Sequence, residues 1–411
     1  MRRIIATLNG QQRLNLLVLF TAGLLFWSGL ASMLPTLPLY IRDAGGSSQQ
    51  VGIVMACFAI GLLLSKAWLS RLADEQGRKI VLIIGMSAIA LAPLGYLSFQ
   101  SIPLLMAFRG FHGISIAAFA TAYSALVIDI SPPQNRGELI GYMSLVNPLG
   151  LALGPALGGF LQESGGYTPA FLAATALGLL GLICTARVQE SPMASAGGAA
   201  RSANDQKFWS LLGSERVRIP AFVLLMVGIA FGTISTFVPL FIKSVGVDLN
   251  IGLFYTAAAI ASFSVRILIG RASDRYGRGL FITLSLILYS SAMLILCQAN
   301  SAVLFVAGAT LQGAAAGMII PMTAALMADR SYPNERGRMF GLCMVGFDAG
   351  IATAGPIMGS FADSVGFRFI FGCLAGLILI GLAAFLTLSS KDVPHSLRFA
   401  LGRGRDLYAV D

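Results

Sequence analysis

The chain has 411 residues, of which 56% are hydrophobic and only 11% carry charge. Soluble domains are charged at about a quarter of their positions, so a water-soluble fold could not shield this much apolar surface. The composition therefore excludes a soluble enzyme, a disordered chain and, despite a net charge of +10, a nucleic-acid binder, and it indicates a protein with several membrane spans.

Twelve apolar runs, bounded by charged residues, Gly and Pro, are long enough to cross a bilayer as helices. They cover 15–41, 50–70, 80–98, 102–130, 138–162, 168–187, 220–243, 250–270, 280–298, 301–328, 339–361 and 366–390. The first run has about 26 residues, too many for the apolar core of a signal peptide, and is predicted to be an uncleaved span. Alternating β patterns are absent from the sequence, so the spans are predicted to be helices.

The predicted fold is an all-α membrane protein whose twelve helices form two pseudo-symmetric six-helix bundles. The expected domains are an N-terminal bundle (1–187), a polar linker (188–219) with a short amphipathic piece at 208–212, a C-terminal bundle (220–390) and a tail (391–411). The five cysteines lie in apolar runs without metal-ligand spacing, so neither a metal site nor a disulfide is expected.

Positive charge is concentrated at one end of the predicted spans. Of the 28 Lys and Arg residues, 22 lie at this end of the spans. Three lie at the other end (Arg42, Lys243 and Arg368), and three lie within spans (Lys66, Arg109 and Arg266). Because loops rich in Lys and Arg stay in the cytoplasm, both termini and the tail are predicted to be cytoplasmic.

The two halves of the chain repeat each other. Residues 69–79 match 269–279, and residues 129–143 match 329–343, at a constant offset of 200 positions. Two matching bundles naturally enclose a cavity at the membrane midplane and can rock between two openings. The repeat therefore predicts a transporter.

A charged motif occupies the turn after the second span and recurs in the second half. Gly77 permits a tight reversal, Asp74 can accept hydrogen bonds from a helix N-terminus, and Arg78 can pair with Asp129 at the end of span 4. The matching residues of the second copy are Asp274, Gly277, Arg278 and Asp329. Simple anchoring of the topology by positive charge is the alternative interpretation.

Span 4 contains Arg109-Gly-Phe-His112-Gly, and its repeat copy keeps Gln312 but has Ala309 in place of the arginine. Arg109 and His112 are three residues apart and share one helix face. A charge inside a span is costly and usually faces a cavity or a partner. Two roles of His112 are compatible with the sequence: a side chain that titrates near neutral pH, or a neutral side chain that forms hydrogen bonds.

Span 5 carries a run of small residues around a proline. Glycines spaced four residues apart allow two helices to approach closely, and the proline kinks the span. Packing alone would also explain the run, which consists of Gly150, Gly154, Pro155, Gly158 and Gly159.

Asp348 is an isolated carboxylate within span 11, and its counterpart in the first half is Pro148. A carboxylate at membrane depth is a candidate for binding protons or substrate, and a static pair with Arg266 or a helix N-terminus is the alternative. Lys66 and Arg266 recur in both halves near the cytoplasmic end, which favours cations that extend toward the membrane surface.

With these motifs the chain resembles the major facilitator superfamily, and in particular its twelve-span drug:proton antiporter branch, over nearly its whole length. The resemblance implies that the charged motif latches the cytoplasmic side shut in the outward-facing state. It also implies a proton-linked role for Arg109 and identifies the Gly150–Gly159 run as an antiporter signature.

The expected function is export of amphipathic or lipophilic small molecules in exchange for protons, with Asp348, Arg109 and His112 coupling protonation to opening. Efflux or facilitated transport of small polar metabolites such as sugars is the alternative. A membrane enzyme or sensor is disfavoured because the spans lack an acidic pair and a metal-ligand cluster. No nucleotide-binding loop is present, so ATP is not expected to drive the cycle. A monomer without cofactors, in the cell membrane, is expected.

Overall fold

The computed structural model describes residues 8–132, 135–189, 213–332 and 335–410, and the side chains of residues 271 and 274 are outside this description. Most of the linker, including its predicted amphipathic piece at 208–212, therefore lies outside the described residues. Within these ranges the regular structure is entirely helical.

Thirteen helices follow one another along the described ranges. They are α1 (Gly10–Asp43), α2 (Ser48–Gln76), α3 (Arg78–Ser98), α4 (Ile102–Ile130), α5 (Arg136–Met143), α6 (Val146–Gly165), α7 (Tyr167–Arg187), α8 (Arg218–Ser244), α9 (Ile251–Tyr276), α10 (Arg278–Gln298), α11 (Ala302–Asp329), α12 (Arg336–Leu388) and α13 (Val393–Ala400).

These helices account for all twelve predicted spans, and the predicted fold class is confirmed. Eleven helical stretches are long and apolar enough to cross a membrane. The last of them, α12, contains two spans, because its backbone leaves helical geometry at Gly366 (φ 80°, ψ 165°). A positive φ of this kind is readily adopted only by glycine.

Two local features differ from the predicted spans. The fifth span divides into α5 and α6 around Ser144 and Leu145. Pro148 explains the break, because it has no N–H to donate to the Ser144 carbonyl, which instead accepts from the N–H of Asn147 at 3.2 Å. The tail also contains a helix, α13, which the sequence interpretation did not include.

The chain separates into two compact units, one of Met1–Ala196 with Asn250–Thr256 and one of Gly197–Leu249 with Ala257–Asp411. In the first, α1 packs on α6 and α7, and α4 packs on α2 and α3. Phe26, Phe119 and Tyr123 stack successively with ring centroids 4.2 and 4.4 Å apart, which joins α1 to α4. In the second unit, α8 and α10 pack on α12. The predicted domain boundaries stay predictions.

Candidate functional site

A buried polar cluster lies inside the first unit, where α4 meets α2 and α3. Arg109 is only 6% exposed and His112 is fully buried. Arg109 Nη1 lies 3.4 Å from His112 Nδ1, and the guanidinium carbon lies 4.5 Å from the centre of the Phe58 ring. The Tyr96 hydroxyl oxygen is 3.0 Å from the same His112 nitrogen. The structure thus brings together the two residues that the sequence placed on one helix face, and it adds Phe58 and Tyr96.

The contacts define which nitrogen of His112 carries the proton. Arginine can only donate, so Nδ1 of His112 accepts from Arg109, and the single lone pair of this nitrogen is shared with the Tyr96 hydroxyl. The proton of the neutral ring is then on Nε2. Among the described residues, neither His112 Nε2 nor Arg109 Nε has a hydrogen-bond partner. The cluster therefore holds two buried donors that the surrounding protein leaves unsatisfied.

The charge of Arg109 is not offset by an ion pair among the described residues. In the described part of the chain no carboxylate forms an ion pair with it. The equivalent place in the second unit is neutral, because Ala309 replaces the arginine and the Gln312 amide donates to the Tyr289 hydroxyl at 3.1 Å. The positive charge is therefore not required to pack this part of a six-helix unit.

Asp348 lies on α12 in the second unit and is partly buried. Gly346 and Gly350 face α8 so closely that an added Cβ would come within 3.0 Å of the backbone carbonyls of Ala221 and Leu225. Asp348 is two residues from each glycine, so helix geometry directs its side chain away from α8. Lys66 and Arg266 have exposed side chains on α2 and α9.

The turns between α2 and α3 and between α9 and α10 are built alike. Each consists of one glycine with positive φ, 101° at Gly77 and 86° at Gly277. Arg78 pairs with Asp129 at the end of α4, and Arg278 Nε lies 3.4 Å from Asp329 Oδ2 at the end of α11.

An acidic residue precedes each of these turns, Asp74 in the first copy and Asp274 in the second. Asp74 has an exposed side chain in the last turns of α2. The predicted Asp274 side chain lies outside the described residues. The structure therefore assembles the Arg–Asp pair of both copies and describes the additional acid in the first copy alone.

The predicted small-residue run lines one face of α6. A Cβ at Gly150, Gly154 or Gly158 would come closer than 3.0 Å to α1, at Trp27, Ser28 and Ser32. At Gly159 it would meet the backbone of Gly252, which belongs to the same unit. Pro155 lies buried within the helix. Gly150, Gly154 and Gly158 therefore permit the close approach of α1 and α6, and Gly159 permits the approach of the backbone at Gly252.

An apolar groove with a volume of about 510 Å³ runs between α2 and α4 in the first unit. Its walls include Leu64, Trp68, Met106, Phe111 and Ile114. In the described ranges no group of three or more His, Cys, Asp or Glu residues could hold a metal ion.

A second buried cluster, in the second unit, was missed by the sequence interpretation. The Arg330 side chain is completely buried. It donates to both carboxylate oxygens of Asp406, at 2.7 and 3.0 Å, and to the carbonyls of Ser389 and Arg216, at 2.8 and 3.0 Å. Its guanidinium carbon also lies 5.1 Å from the centre of the Tyr408 ring.

This Arg330 cluster fastens the end of the chain to the second unit. The N–H of Val410 donates to the carbonyl of Asp329 at 2.9 Å, directly beside the Arg278 pair. One sequence signal was available, because Arg330 stands where the first half has the apolar Ile130. Its partner, 76 residues away, could not be identified from spacing.

The chain matches the family model described as Major Facilitator Superfamily over residues 19–271 and 248–405. It is 29% identical over 181 residues to the quinolone resistance protein NorA of Staphylococcus aureus, which covers 44% of this chain and 46% of NorA. The match thus spans about half the length of that relative. The staphylopine export protein of Staphylococcus aureus strain Mu50 is 24% identical over 390 residues, 92% of this chain and 96% of that protein.

Two crystal structures have the same fold at low sequence identity. A mutant of the nucleoside transporter NupG gives a TM-score of 0.80 at 15% identity, covering 90% of this chain and 99% of that one. A bacterial homologue of the human lysosomal transporter Spinster, in an inward-facing, unoccupied conformation, gives 0.70 at 15% identity, with 96% of each chain covered.

Proposed function

The chain belongs to the Major Facilitator Superfamily, and on that premise we propose that it exports amphipathic or lipophilic small molecules across the cell membrane in exchange for protons. The family comprises transporters and not enzymes, so this chain is a multi-pass membrane transporter. The direction of transport is supported by the sequence relatives, which are named for quinolone resistance and for staphylopine export. Both termini are proposed to be cytoplasmic, and the protein to act as a monomer.

The observation that carries the proton-coupled mechanism is the buried charge of Arg109. A charged side chain in a transmembrane helix is costly, and such residues mark ion or substrate pathways. The second unit forms the corresponding position with Ala309 and Gln312 and no charge. This asymmetry between the units supports a role for Arg109 in the transport cycle over a purely structural one.

We assign the coupling to two groups, one in each unit. Asp348 is the proposed proton carrier, because a carboxylate in a span can be loaded from one side and released to the other. The cluster of Arg109, His112 and Tyr96 supplies a fixed positive charge with a neutral imidazole beside it. In the proposed cycle of alternating access, protonation of Asp348 favours one opening and its deprotonation the other.

The paired motifs have separate proposed roles. The ion pairs of Arg78 with Asp129 and of Arg278 with Asp329 form part of a cytoplasmic latch, with Asp74 and Asp274 as its further acids. The glycine run of α6 lets this helix move against α1 while remaining in close contact.

The test uses inverted membrane vesicles with a preset pH gradient. Addition of a substrate from a panel of cationic dyes, quinolones and sugars should dissipate the gradient in vesicles that contain the protein and leave empty vesicles unchanged. Dissipation by dyes or quinolones supports the proposal. Dissipation by sugars alone would overturn the lipophilic substrate class, and uptake of dye that ignores the gradient would overturn proton coupling.

Three variants separate the proposed roles from folding. Arg109→Met should fold at least as well as the wild type, because it removes a buried charge that no ion pair offsets in the described part of the chain, yet it should not dissipate the gradient. Asp348→Asn keeps the shape of the side chain and should also fail to dissipate the gradient. His112→Gln should keep the Tyr96 hydrogen bond, as Gln312 does with its tyrosine, so full activity of this variant would assign His112 a neutral role. Asp248→Asn, at an exposed position, is the matched control for the loss of a carboxylate.

A further inference from the structure

The short helix α13 follows α12 after four residues and packs on the second unit through one face. The Asp392 side chain caps it by accepting from the backbone N–H of His395 at 2.8 Å. On the packed face Phe399 and Ala400 are buried. The Ala400 carbonyl accepts a hydrogen bond from the Thr283 hydroxyl of α10 at 2.9 Å.

This contact determines how deep α13 lies. Thr283 is five residues into α10, which corresponds to about 7.5 Å along the axis from Arg278 at the helix start. α10 is one of the helices that are long and apolar enough to cross a membrane. The end of α13 therefore lies beside the first turns of a helix that is long and apolar enough to span a membrane, and in a bilayer these turns correspond to the headgroup region.

A second face of α13 is apolar and partly exposed. Val393, Leu397 and Leu401 are 46%, 39% and 47% exposed. Their spacing of four residues aligns them in one stripe along the helix. The stripe lies roughly a quarter turn around the axis from the packed face.

The charges around the stripe are positive. Arg398, Arg403 and Arg405 are exposed. Of the neighbouring acids, Asp406 pairs with the buried Arg330, and Asp392 attracts Arg398 alone among the three arginines. The tail therefore carries an excess of guanidinium groups next to an apolar stripe, which is the pattern of a helix that lies in an anionic membrane surface.

We propose that α13 and the three arginines form a docking surface for anionic phospholipid. The stripe of Val393, Leu397 and Leu401 lies among the upper acyl chains. The arginines donate to lipid phosphates, which their planar forks match well. The inference depends on the chain spanning a bilayer and on the position of α13, and not on the substrate or on proton coupling.

The experiment places a fluorescent label at Leu397→Cys in the full-length protein, with the native cysteines replaced. The protein is reconstituted in phosphatidylcholine vesicles with or without phosphatidylglycerol, and lipids spin-labelled near the headgroup serve as quenchers. The control label is at His395→Cys, roughly 160° around the helix from Leu397. The Leu397 label should be quenched much more strongly than the control, and more so with phosphatidylglycerol. Replacing the three arginines by Gln should remove that increment.

Three other outcomes of this experiment would contradict the proposal. Equal quenching of the two labels would mean that the stripe does not lie in lipid. Quenching that does not depend on phosphatidylglycerol would exclude a preference for anionic lipid. Disulfide formation between Leu397→Cys residues of two chains, together with weak quenching, would identify a second copy as the occupant. Hydrogen exchange of the Ala400 amide verifies in each variant that α13 remains packed on α10.

Discussion

The buried ion pair between Arg330 and Asp406 gives a quantitative prediction for Asp406→Asn. The arginine side chain has no exposed surface, and Asp406 supplies two of its four hydrogen bonds. Asparagine keeps the shape but removes the charge and turns an NH₂ group toward the guanidinium donors. Removing one partner of a buried pair in this way costs about 3–5 kcal/mol. Because the tail can undock without unfolding the spans, this cost should appear as local opening.

The opening can be measured by hydrogen exchange of the C-terminal peptide. A cost of about 3 kcal/mol corresponds to a roughly 100-fold larger open population. The reporter is the Val410 amide, which is bonded to the Asp329 carbonyl, and its exchange should accelerate by about that factor if the docking free energy is at least as large. Peptides from α4 should be unchanged. A change of less than about threefold at Val410 would refute this account of the pair.

Two further variants make the comparison specific. Glu215→Gln weakens an exposed bond from the Tyr408 hydroxyl and an exposed ion pair with Arg218 at 3.9 Å, so its effect should be below about 1 kcal/mol, or roughly fivefold in exchange. Arg330→Met combined with Asp406→Leu removes both charges, and such replacements are often neutral. The double variant should therefore exchange more slowly than Asp406→Asn. Equal exchange in these two variants would show that lost packing, and not the unpaired charge, opens the tail.

The remaining predictions concern helix packing and capping. Gly154→Val should lower the thermal stability of the purified protein by several degrees, because the new side chain meets the Ser28 carbonyl, whereas Gly141→Val, with nothing within 4 Å, should change it little. Asp392→Ala should weaken the N-terminal cap of α13, so that the His395 amide exchanges faster. The backbone hydrogen bond from His395 holds the pKa of Asp392 below its ordinary value. The cap should therefore be fully present above the ordinary carboxyl pKa of about 3.9 and be lost as the pH falls through the lowered value. Unchanged protection of the His395 amide at acidic pH would contradict this.

The sequence predicted those contacts of the candidate site that depend on local helix geometry or on the internal repeat. Arg109 and His112 are neighbours on any helix, and the structure places their nitrogens 3.4 Å apart. The equal offsets of the two halves indicated Arg78 with Asp129, and the structure pairs them. The sequence could not predict that Tyr96 joins His112, because this contact depends on how α3 packs against α4.

By itself the sequence determined the class of the protein and its spans, because lipid requires each span to be an apolar helix that satisfies its own backbone. That constraint acts within about 20 consecutive residues and leaves a local pattern. Tertiary structure alone decided that Arg330 is buried against Asp406 and that α13 returns to α10. These contacts join residues 76 and 117 positions apart, and their free energy depends on burial, which exists only once the helices are packed.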